Sequence, residues 1–271
     1  MPALHFGPYE VLRFVDGVYK APTDHLIHRE GEAALKTALP AFDGQTVDVD
    51  VNCFVLSGSD GLSLVDAGCG TAWGDSYGHA RAAMIAAGIE PKDIKRILLT
   101  HIHGDHALGL FNGSAPYFPN AEIWIPEADF AFFTNESERQ KLPPARQGAF
   151  DIAARILDIC GQMVRPIPTG PIADGIEAIS LPGHTPGQTG YLIGEGASKL
   201  LLWGDVLHSI DLQAADPAVG FIYDIDPQLA YDTRLTALND AAENGWLVSG
   251  GHLGGFFHVT RENDAYRFIA Y

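Results

Sequence analysis

The chain has 271 residues, 46% of them hydrophobic and 19% charged, so its composition excludes extensive disorder and allows one large globular domain. Its 17 Lys and Arg against 34 Asp and Glu give a formal net charge of -17, which repels nucleic-acid phosphates and anionic membranes. We therefore predict neither a nucleic-acid nor a membrane partner, and three scattered cysteines exclude a disulfide framework.

The hydropathy of the chain predicts a soluble, cytoplasmic protein. The sequence has no run of ~20 apolar residues that could span a bilayer. Its first residues lack the basic head and the long apolar run of a signal peptide. Removal of an N-terminal segment by processing stays open.

The first half of the chain predicts strands followed by helices. After a β-like run at 11–15 and a polar arm, the runs VNCFVLSG and LSLVDAG, joined by Gly-Ser-Asp-Gly, predict a β-hairpin. Residues 77–87 predict a helix that ends at Gly88. Residues 94–100 (IKRILLT) predict a buried strand. A strand (AEIWIP), a short helix (EADFAFF) and a long amphipathic helix over 144–163 then follow.

The second half resumes this pattern after a break rich in Pro and Gly at 166–171. The segments IEAISLPG, QTGYLIG and KLLLWGD predict three strands joined by Gly-rich turns. Asp226 predicts the N-cap of a helix that runs to about Asn244, with Pro227 in its first turn. The segment WLVSGGH predicts a last buried strand, and the ending DAYRFIAY carries no clear signal.

The order of these elements predicts an α/β fold. Each half places strands before helices, which indicates two β-sheets packed face to face with helices outside. We expect one domain over residues 1–271. It would consist of an N-terminal arm with strands (1–48), a first half (49–165) and a second half (166–271).

Four candidate metal ligands lie within six residues in the motif HIHGDH, directly after the predicted strand at 94–100. On a strand, side chains alternate between faces, so His101 and His103 would point the same way. Where the chain turns into a helix, Asp105 and His106 can approach the same point from the other side. Imidazole and carboxylate suit zinc and similar metals, and this set can serve two ions.

Three further candidates share one sequence context, in which an apolar strand and a glycine precede the side chain. His184 follows ISLPG, Asp205 follows LLLWG, and His252 follows LVSGG. Taken singly, each favours a structural histidine or a turn aspartate. Together with HIHGDH they predict a metal site at one edge of the sheets, where glycine lets the backbone approach closely.

The motif HxHxDH, followed by a separate His, Asp and His, resembles the metallo-β-lactamase superfamily. The similarity runs from about Val49 to His252, and LVDAG with Asp66 is similar to the second-strand motif of the family. The resemblance implies an αβ/βα four-layer sandwich of two mixed β-sheets with helices outside and metals at one edge. It also implies a ligand set: His101, His103 and His184 for one ion, Asp105, His106 and His252 for the other, and Asp205 between both.

Segments that flank the metal motifs indicate which members of the superfamily the chain resembles. FPNAEIWIPEADFAFF, LPGHTPGQTGY and LQAADPAV resemble methyl parathion hydrolase and its relatives, and the metal motifs are similar to those of N-acyl homoserine lactone lactonases. The resemblance implies a hydrolase with two zinc ions per chain, with iron, manganese or cobalt as open alternatives. It also implies a homodimer, as in many relatives. The expected substrate is a small neutral ester, lactone or phosphotriester.

The expected mechanism needs no protein nucleophile. Two cations lower the pKa of a shared water, and the resulting hydroxide attacks a carbonyl or phosphorus. Asp105 is the expected catalytic residue, because its carboxylate can pass a proton to the leaving group. Asp66 is expected to orient a ligand histidine, or else is a plain turn residue. His208 and Tyr223 are expected in the substrate pocket. An ordinary loop histidine explains His208 equally well, and packing explains Tyr223 better.

Two other functions stay open at this stage. A nuclease or another phosphodiesterase of the same superfamily would need a basic groove, which the net charge of -17 opposes. A catalytically inactive metal-binding protein would be expected to have lost ligands, whereas all seven positions are filled. The sequence fixes neither the physiological substrate nor the native metal.

Overall fold

The computed structural model of the chain describes residues 3–39, 46–196, 198–263 and 265–271. Residues 1–2 and 40–45 of the predicted N-terminal arm lie outside the described residues, as does the first residue of the ending DAYRFIAY. The described residues form two seven-stranded sheets and two small two-stranded sheets.

The secondary structure follows the chain in two runs of strands with helices between them. The first run of strands is β1 (Leu4–Phe6), β2 (Tyr9–Pro22), β3 (Leu26–His28), β4 (Thr46–Gly58), β5 (Gly61–Val65), β6 (Ile94–Leu98), β7 (Phe111–Asn112), β8 (Ala115–Pro116), β9 (Glu122–Pro126) and β10 (Val164–Ile167). The second run is β11 (Gly170–Ala173), β12 (Ile176–Ser180), β13 (Thr189–Glu195), β14 (Ser198–Leu202), β15 (Val219–Phe221), β16 (Leu247–Ser249), β17 (Phe257–Glu262) and β18 (Ala265–Ala270). The α-helices are α1 (Glu32–Ala38), α2 (His79–Ala86), α3 (Gly104–Ala107), α4 (Glu127–Phe133), α5 (Glu136–Arg139), α6 (Gly148–Cys160), α7 (Ile210–Gln213) and α8 (Pro227–Asn244).

Each large sheet takes its strands from one run. The first sheet has the order β1-β2-β4-β5-β6-β9-β10, antiparallel as far as β5 and parallel from there on. The second has the order β11-β12-β13-β14-β16-β17-β18, in which only the pair β14–β16 is parallel. Both sheets are therefore mixed. The small sheet of β3 and β15 joins the N-terminal segment to the second half.

Alternating side chains along the strands create three apolar layers. In β4, Val55 packs in the layer that holds α2 and α6, whereas Phe54 packs in the layer between the two sheets. In β14, Leu200 lies in that same central layer, and Leu201 packs in the layer that holds α8. The resulting order of helix, sheet, sheet and helix confirms the expected αβ/βα sandwich with two mixed sheets.

Several predicted elements are confirmed. The predicted hairpin is β4–β5, whose antiparallel register closes on Gly58 and Gly61. The short helix EADFAFF is α4. Helix α8 begins directly after Asp226, whose side chain accepts a hydrogen bond from the backbone N–H of Leu229 at 3.0 Å.

The structure departs from the expected extent of elements at two places. The segment WLVSGGH holds the last fully buried strand, β16, but two largely exposed strands, β17 and β18, follow it as an antiparallel pair whose residues Val259 and Tyr266 pack in the layer with α8. A short terminal segment carries too little sequence pattern to predict this pairing, because strand formation depends strongly on context. The long helix over 144–163 is limited to α6, because the flanks tighten into 3₁₀ turns at Pro144–Arg146 and Gly161–Met163.

The candidate metal ligands lie at the carboxyl ends of strands that run in one direction within each sheet. Strands β5 and β6 are parallel, and so are β14 and β16. Parallel strands end at the same edge, so the loops after these strands gather there. In the part of the chain that the structure describes, no helix is long and apolar enough to cross a membrane.

Candidate metal centre

All seven candidate ligands from the sequence come together at this edge. Their potential ligand atoms form two groups, and within each group all the atoms lie within 4.8 Å of one another. The groups are His101, His103, His184 and Asp205, and Asp105, His106, Asp205 and His252. Asp205 belongs to both groups, which is the division that the family resemblance implies.

The first group consists of three imidazole nitrogens and a carboxylate oxygen in close contact. His103 Nδ1 lies 3.1 Å from His101 Nε2 and 2.9 Å from His184 Nε2. Asp205 Oδ2 lies 3.3 Å from His184 Nε2 and 3.7 Å from His101 Nε2. Around a tetrahedral zinc ion with bonds of ~2.0–2.1 Å, ligand atoms are separated by roughly 3.3 Å. These distances therefore fit a cation held between the four atoms.

The second group leaves polar atoms without partners. His106 Nε2 lies 3.2 Å from Asp205 Oδ1 and 3.6 Å from Asp105 Oδ2. His252 Nε2 lies 2.8 Å from Asp205 Oδ2. Within the described residues, His106 Nε2 and Asp205 Oδ1 are buried and have no hydrogen-bond partner. Such atoms are costly to bury unsatisfied, and a cation between them would satisfy both.

Hydrogen bonds to the Nδ1 atoms of His106 and His101 fix the orientation of both rings. His106 Nδ1 donates to Asp66 Oδ2 at 2.8 Å. The hydroxyl of Thr100 donates to the same carboxylate at 2.9 Å and accepts from His101 Nδ1 at 3.0 Å. Both rings therefore carry a proton on Nδ1, and Nε2 faces the ligand groups, where a bound cation would replace any second proton. Asp66 lies where the prediction of an orienting residue requires it.

Two other histidines have equivalent support. His184 Nδ1 donates to Asp224 Oδ1 at 2.9 Å, and the guanidinium of the buried Arg234 lies 3.8 Å from Asp224 Oδ2. His252 Nδ1 donates to the carbonyl oxygen of Asp50 at 2.6 Å. Sequence reasoning missed Asp224 and Arg234. The only available signal was a polar residue inside the apolar segment GFIYDID.

The electrostatics of the centre favour a bound cation. Burial and the neighbouring His106 hold the pKa of His101 well below its usual value. Burial acts on His106 in the same direction, but the carboxylates of Asp205 and Asp105 outweigh it and raise the pKa of His106 well above the usual value. Although burial disfavours its charge, the surrounding imidazoles hold the pKa of Asp205 well below the usual range. The carboxylate of Asp205 therefore stays ionised and attracts positive charge.

The HIH segment follows strand β6, as expected, but it is a bend, and the expectation that His101 and His103 lie on a strand is wrong. Strand β6 ends before His101, and α3 begins after His103. The two rings meet because the bend directs both side chains to one point. Between them, the backbone N–H of Ile102 donates to Asp129 Oδ2 at 2.8 Å and not to a neighbouring strand. A side chain therefore fixes the bend where sheet pairing is absent.

A cavity of about 950 Å³ opens over both groups. His103, Asp105 and His252 form part of its base. Its walls are largely apolar and include Val49, Trp73, Leu108, Phe133, Ala149, Ile152, Ile222 and Ile225. The volume falls within the range of roughly 300–1,000 Å³ that encloses small organic ligands.

The two predicted pocket residues both line this cavity. The ring of His208 stacks on that of His252, with centroids 4.9 Å apart. The hydroxyl of Tyr223 donates to the hydroxyl of Tyr19 at 3.2 Å and lies 2.7 Å from His25 Nδ1. Tyr19 and His25 also line the cavity, and no sequence motif had marked them. They reach it only because β2 and the segment after it pack against the second half.

Arg146 is another cavity residue that sequence reasoning missed. Its Nη2 donates to the carbonyl oxygens of Tyr223 at 3.3 Å and Asp224 at 2.6 Å. These bonds join the turn before α6 to the loop after β15. Among the described residues that line the cavity, Arg146 is the one Lys or Arg side chain.

Comparisons with known proteins identify a family and a fold for this chain. The family model described as the metallo-beta-lactamase superfamily matches residues 46–252. The uncharacterized protein YobT of Bacillus subtilis (strain 168) is 30% identical over 142 residues, which are 52% of this chain and 56% of that protein. An N-acyl homoserine lactonase of Bacillus sp is 26% identical over 190 residues, which are 62% of this chain and 66% of that protein. The chain thus spans less than two thirds of the length of these relatives.

Two solved structures share the fold along nearly the whole chain. The hydrolase AbOPH of the beta lactamase superfamily has a TM-score of 0.89 at 24% identity, covering 99% of this chain and 96% of that one. AidC, a dizinc quorum-quenching lactonase, has a TM-score of 0.88 at 24% identity, covering 100% of this chain and 97% of that one. At such identity the likeness establishes the fold alone.

Proposed function

The chain belongs to the metallo-β-lactamase superfamily, and on that basis we propose that it is a two-metal hydrolase that acts on a small lactone or ester. The observation that carries this proposal is the sharing of Asp205 by two ligand groups at the base of a large, mostly apolar cavity. Zinc is the proposed metal because imidazole and carboxylate form a donor set that zinc prefers. Iron, manganese or cobalt fit the same donors.

The substrate class is supported by the relatives and by the cavity. One relative is named an N-acyl homoserine lactonase, and AidC is a dizinc lactonase. The apolar walls of the cavity suit a neutral molecule with a hydrocarbon part. A neutral phosphotriester is a second substrate class for the same centre, because its phosphorus can be attacked in the same way as a carbonyl carbon.

The residues of the chain hold the ions and handle the proton. When bound, two divalent cations supply an acidified water and polarise the oxygen of the substrate. Asp205 presents Oδ1 to His106 and Oδ2 to His252, so its carboxylate sets the spacing of the two groups. Asp105 lines the cavity, and its carboxylate is placed to take a proton and return it to the leaving alcohol oxygen.

His208 and Tyr223 are proposed to contact the substrate. Burial holds the pKa of the His208 imidazole well below its usual value, so the ring is neutral at neutral pH. Burial also raises the pKa of the Tyr223 hydroxyl, which therefore keeps its proton and can donate it in a hydrogen bond. Each group would contribute a neutral polar contact within an apolar cavity. The homodimer expected from the resemblance stays a prediction.

A nuclease is the alternative that the site supports least. The net charge is -17, and among the described residues that line the cavity Arg146 is the one cationic side chain. Proteins that bind nucleic-acid backbones neutralise several phosphates with Lys and Arg. A cavity with a single guanidinium lacks this feature.

The test combines metal content with a substrate panel. Protein purified without chelator is analysed for metal per chain and assayed on an N-acyl homoserine lactone, an aryl ester, a phosphotriester and an oligonucleotide. We expect about two ions per chain and turnover of the lactone or ester. The variant Asp105→Asn should lose most of kcat, and Asp211→Asn, which changes an exposed aspartate of α7, should not.

Each other outcome removes a specific part of the proposal. Two bound ions with no turnover of any ester would indicate a catalytically inactive metal-binding protein. Preferred cleavage of the oligonucleotide would indicate a nuclease. Failure to bind metal at all would contradict the metal centre itself.

A further inference from the structure

Asp129 is a buried carboxylate that lies outside both ligand groups. Its side chain is 0% exposed, and it belongs to α4. Each of its two oxygens accepts one backbone N–H: Oδ2 from Ile102 at 2.8 Å and Oδ1 from Gly187 at 3.0 Å. A buried carboxylate is costly to ionise, and these two hydrogen bonds offset part of that cost.

The two donors belong to the two segments that build the first ligand group. Ile102 lies between His101 and His103, in a bend that no strand pairing holds in place. Gly187 lies in the turn that follows His184. These segments come from different halves of the chain, so one carboxylate links ligands that the sequence separates widely.

The second segment packs in direct contact with the backbone of α4. A Cβ added at Gly187 would collide with the backbone nitrogen of Asp129 and would also meet the backbone of Ala128 at 2.7 Å. The turn after His184 therefore lies directly on the helix that carries the carboxylate. A displacement of α4 would move both the turn and the HIH bend.

We propose that Asp129 is a positioning residue, which sets the distance between the HIH bend and the His184 turn and thereby the metal affinity of the first ligand group. The inference rests on the proposed metal centre. His103 Nδ1 and His184 Nε2 are 2.9 Å apart, and one cation can be shared only while that separation is kept. The second group receives no hydrogen bond from Asp129, so its affinity does not depend on this side chain.

The substitution Asp129→Asn tests this role with almost no change of shape. Asparagine offers one acceptor oxygen, and its amide hydrogens would face the second backbone N–H. One of the two segments is therefore released. Partners that orient metal ligands typically contribute 10–100-fold to metal affinity. In Asp129→Asn we expect the affinity for one ion to fall by about 10–100-fold and the affinity for the other to stay within about twofold of wild type. The weakened ion should be the one that the variant His103→Ala also loses.

The measurement is a zinc titration of the folded protein against a competing chelator, which resolves the affinities of the two ions. The matched control is Glu127→Gln, which makes the same charge change at an exposed position of the same helix and should alter neither affinity. Wild-type affinities for both ions in Asp129→Asn would overturn the proposal. Equal weakening of both ions would overturn it as well, since that is the result of general destabilisation.

A second measurement needs no variant. Hydrogen exchange of wild-type protein, with metal and after its removal by chelator, reports the amides of Ile102 and Gly187 directly. If Asp129 holds the two segments, both amides stay protected when the metal is gone. Exchange as fast as that of other loop amides would refute the role. A wild type that binds no zinc would remove the proposed function, yet this exchange result would still be readable.

Discussion

The substitution Asp205→Asn should empty both ligand groups at once. Asp205 is the one residue that belongs to both, with its oxygens 2.8 Å from His252 Nε2 and 3.2 Å from His106 Nε2. Asparagine keeps the size of the side chain but removes its charge and one acceptor. The remaining ligands are mostly neutral imidazoles, which then face each other with little negative charge to offset two dications.

The magnitude follows from the distances. Unit charges ~4 Å apart attract by about 4 kcal/mol at an effective dielectric constant of ~20. The carboxylate oxygens of Asp205 lie 2.8–3.7 Å from the ring nitrogens around them, so a cation in either group would be at least this close. At 1.4 kcal/mol for each factor of ten, the loss is at least roughly a thousandfold in the affinity of each ion.

The assay is metal content at equilibrium with a zinc buffer. Wild type, Asp205→Asn and the control Asp211→Asn are dialysed together at a free zinc concentration that half-fills the weaker site of the wild type. Mass spectrometry of the metal should find the weaker site of Asp205→Asn essentially empty, with an occupancy of about 0.001, and the tighter site should need roughly a thousandfold more free zinc for half-filling. The control should match the wild type, because Asp211 is exposed and belongs to neither group.

Retention of both ions by Asp205→Asn would refute the reasoning. Loss of only one ion would show that Asp205 serves a single group and that the other is complete without it. Circular dichroism of the same samples checks that the variant remains folded, so that metal loss is not read from unfolded protein.

Three further changes have defined outcomes. Asp66→Asn should weaken one of the two ions by about 10–100-fold, read from the same zinc buffer, because His106 loses the acceptor that fixes its ring. Burial raises the pKa of Asp129 to about 6 from its usual 3.8, so its contribution to stability is full below pH ~4 and is lost as the pH rises through 6. Urea unfolding of metal-free protein should show wild type losing about 3 kcal/mol relative to Asp129→Asn between pH 4 and pH 6.5, and parallel curves would contradict this. Trp73→Ala should raise KM roughly 2–10-fold in steady-state assays and leave kcat nearly unchanged, because this half-exposed ring lines the cavity next to Gly104. A fall in kcat alone would contradict a role of Trp73 in substrate binding.

The sequence by itself determined the parts of this protein that depend on local order. The short spacing of HIHGDH and the shared context of His184, Asp205 and His252 mark strand ends, and parallel strands must end at one edge. The cap at Asp226 and the hairpin before Asp66 follow from turn and cap chemistry within a few residues. Such signals lie within a few residues of one another, so they can be recognised without knowledge of the fold.

Tertiary structure alone decided how the candidate ligands are held and what surrounds them. The HIH bend looks like a continuing strand in sequence, yet it is fixed by a carboxylate from α4. Asp224 and Arg234 support His184 from segments that no motif connects to it. Tyr19 and His25 enter the cavity through the packing of β2 against the second half. Contacts of this kind join residues far apart in the chain, and no periodicity or spacing along the sequence encodes their distance in space.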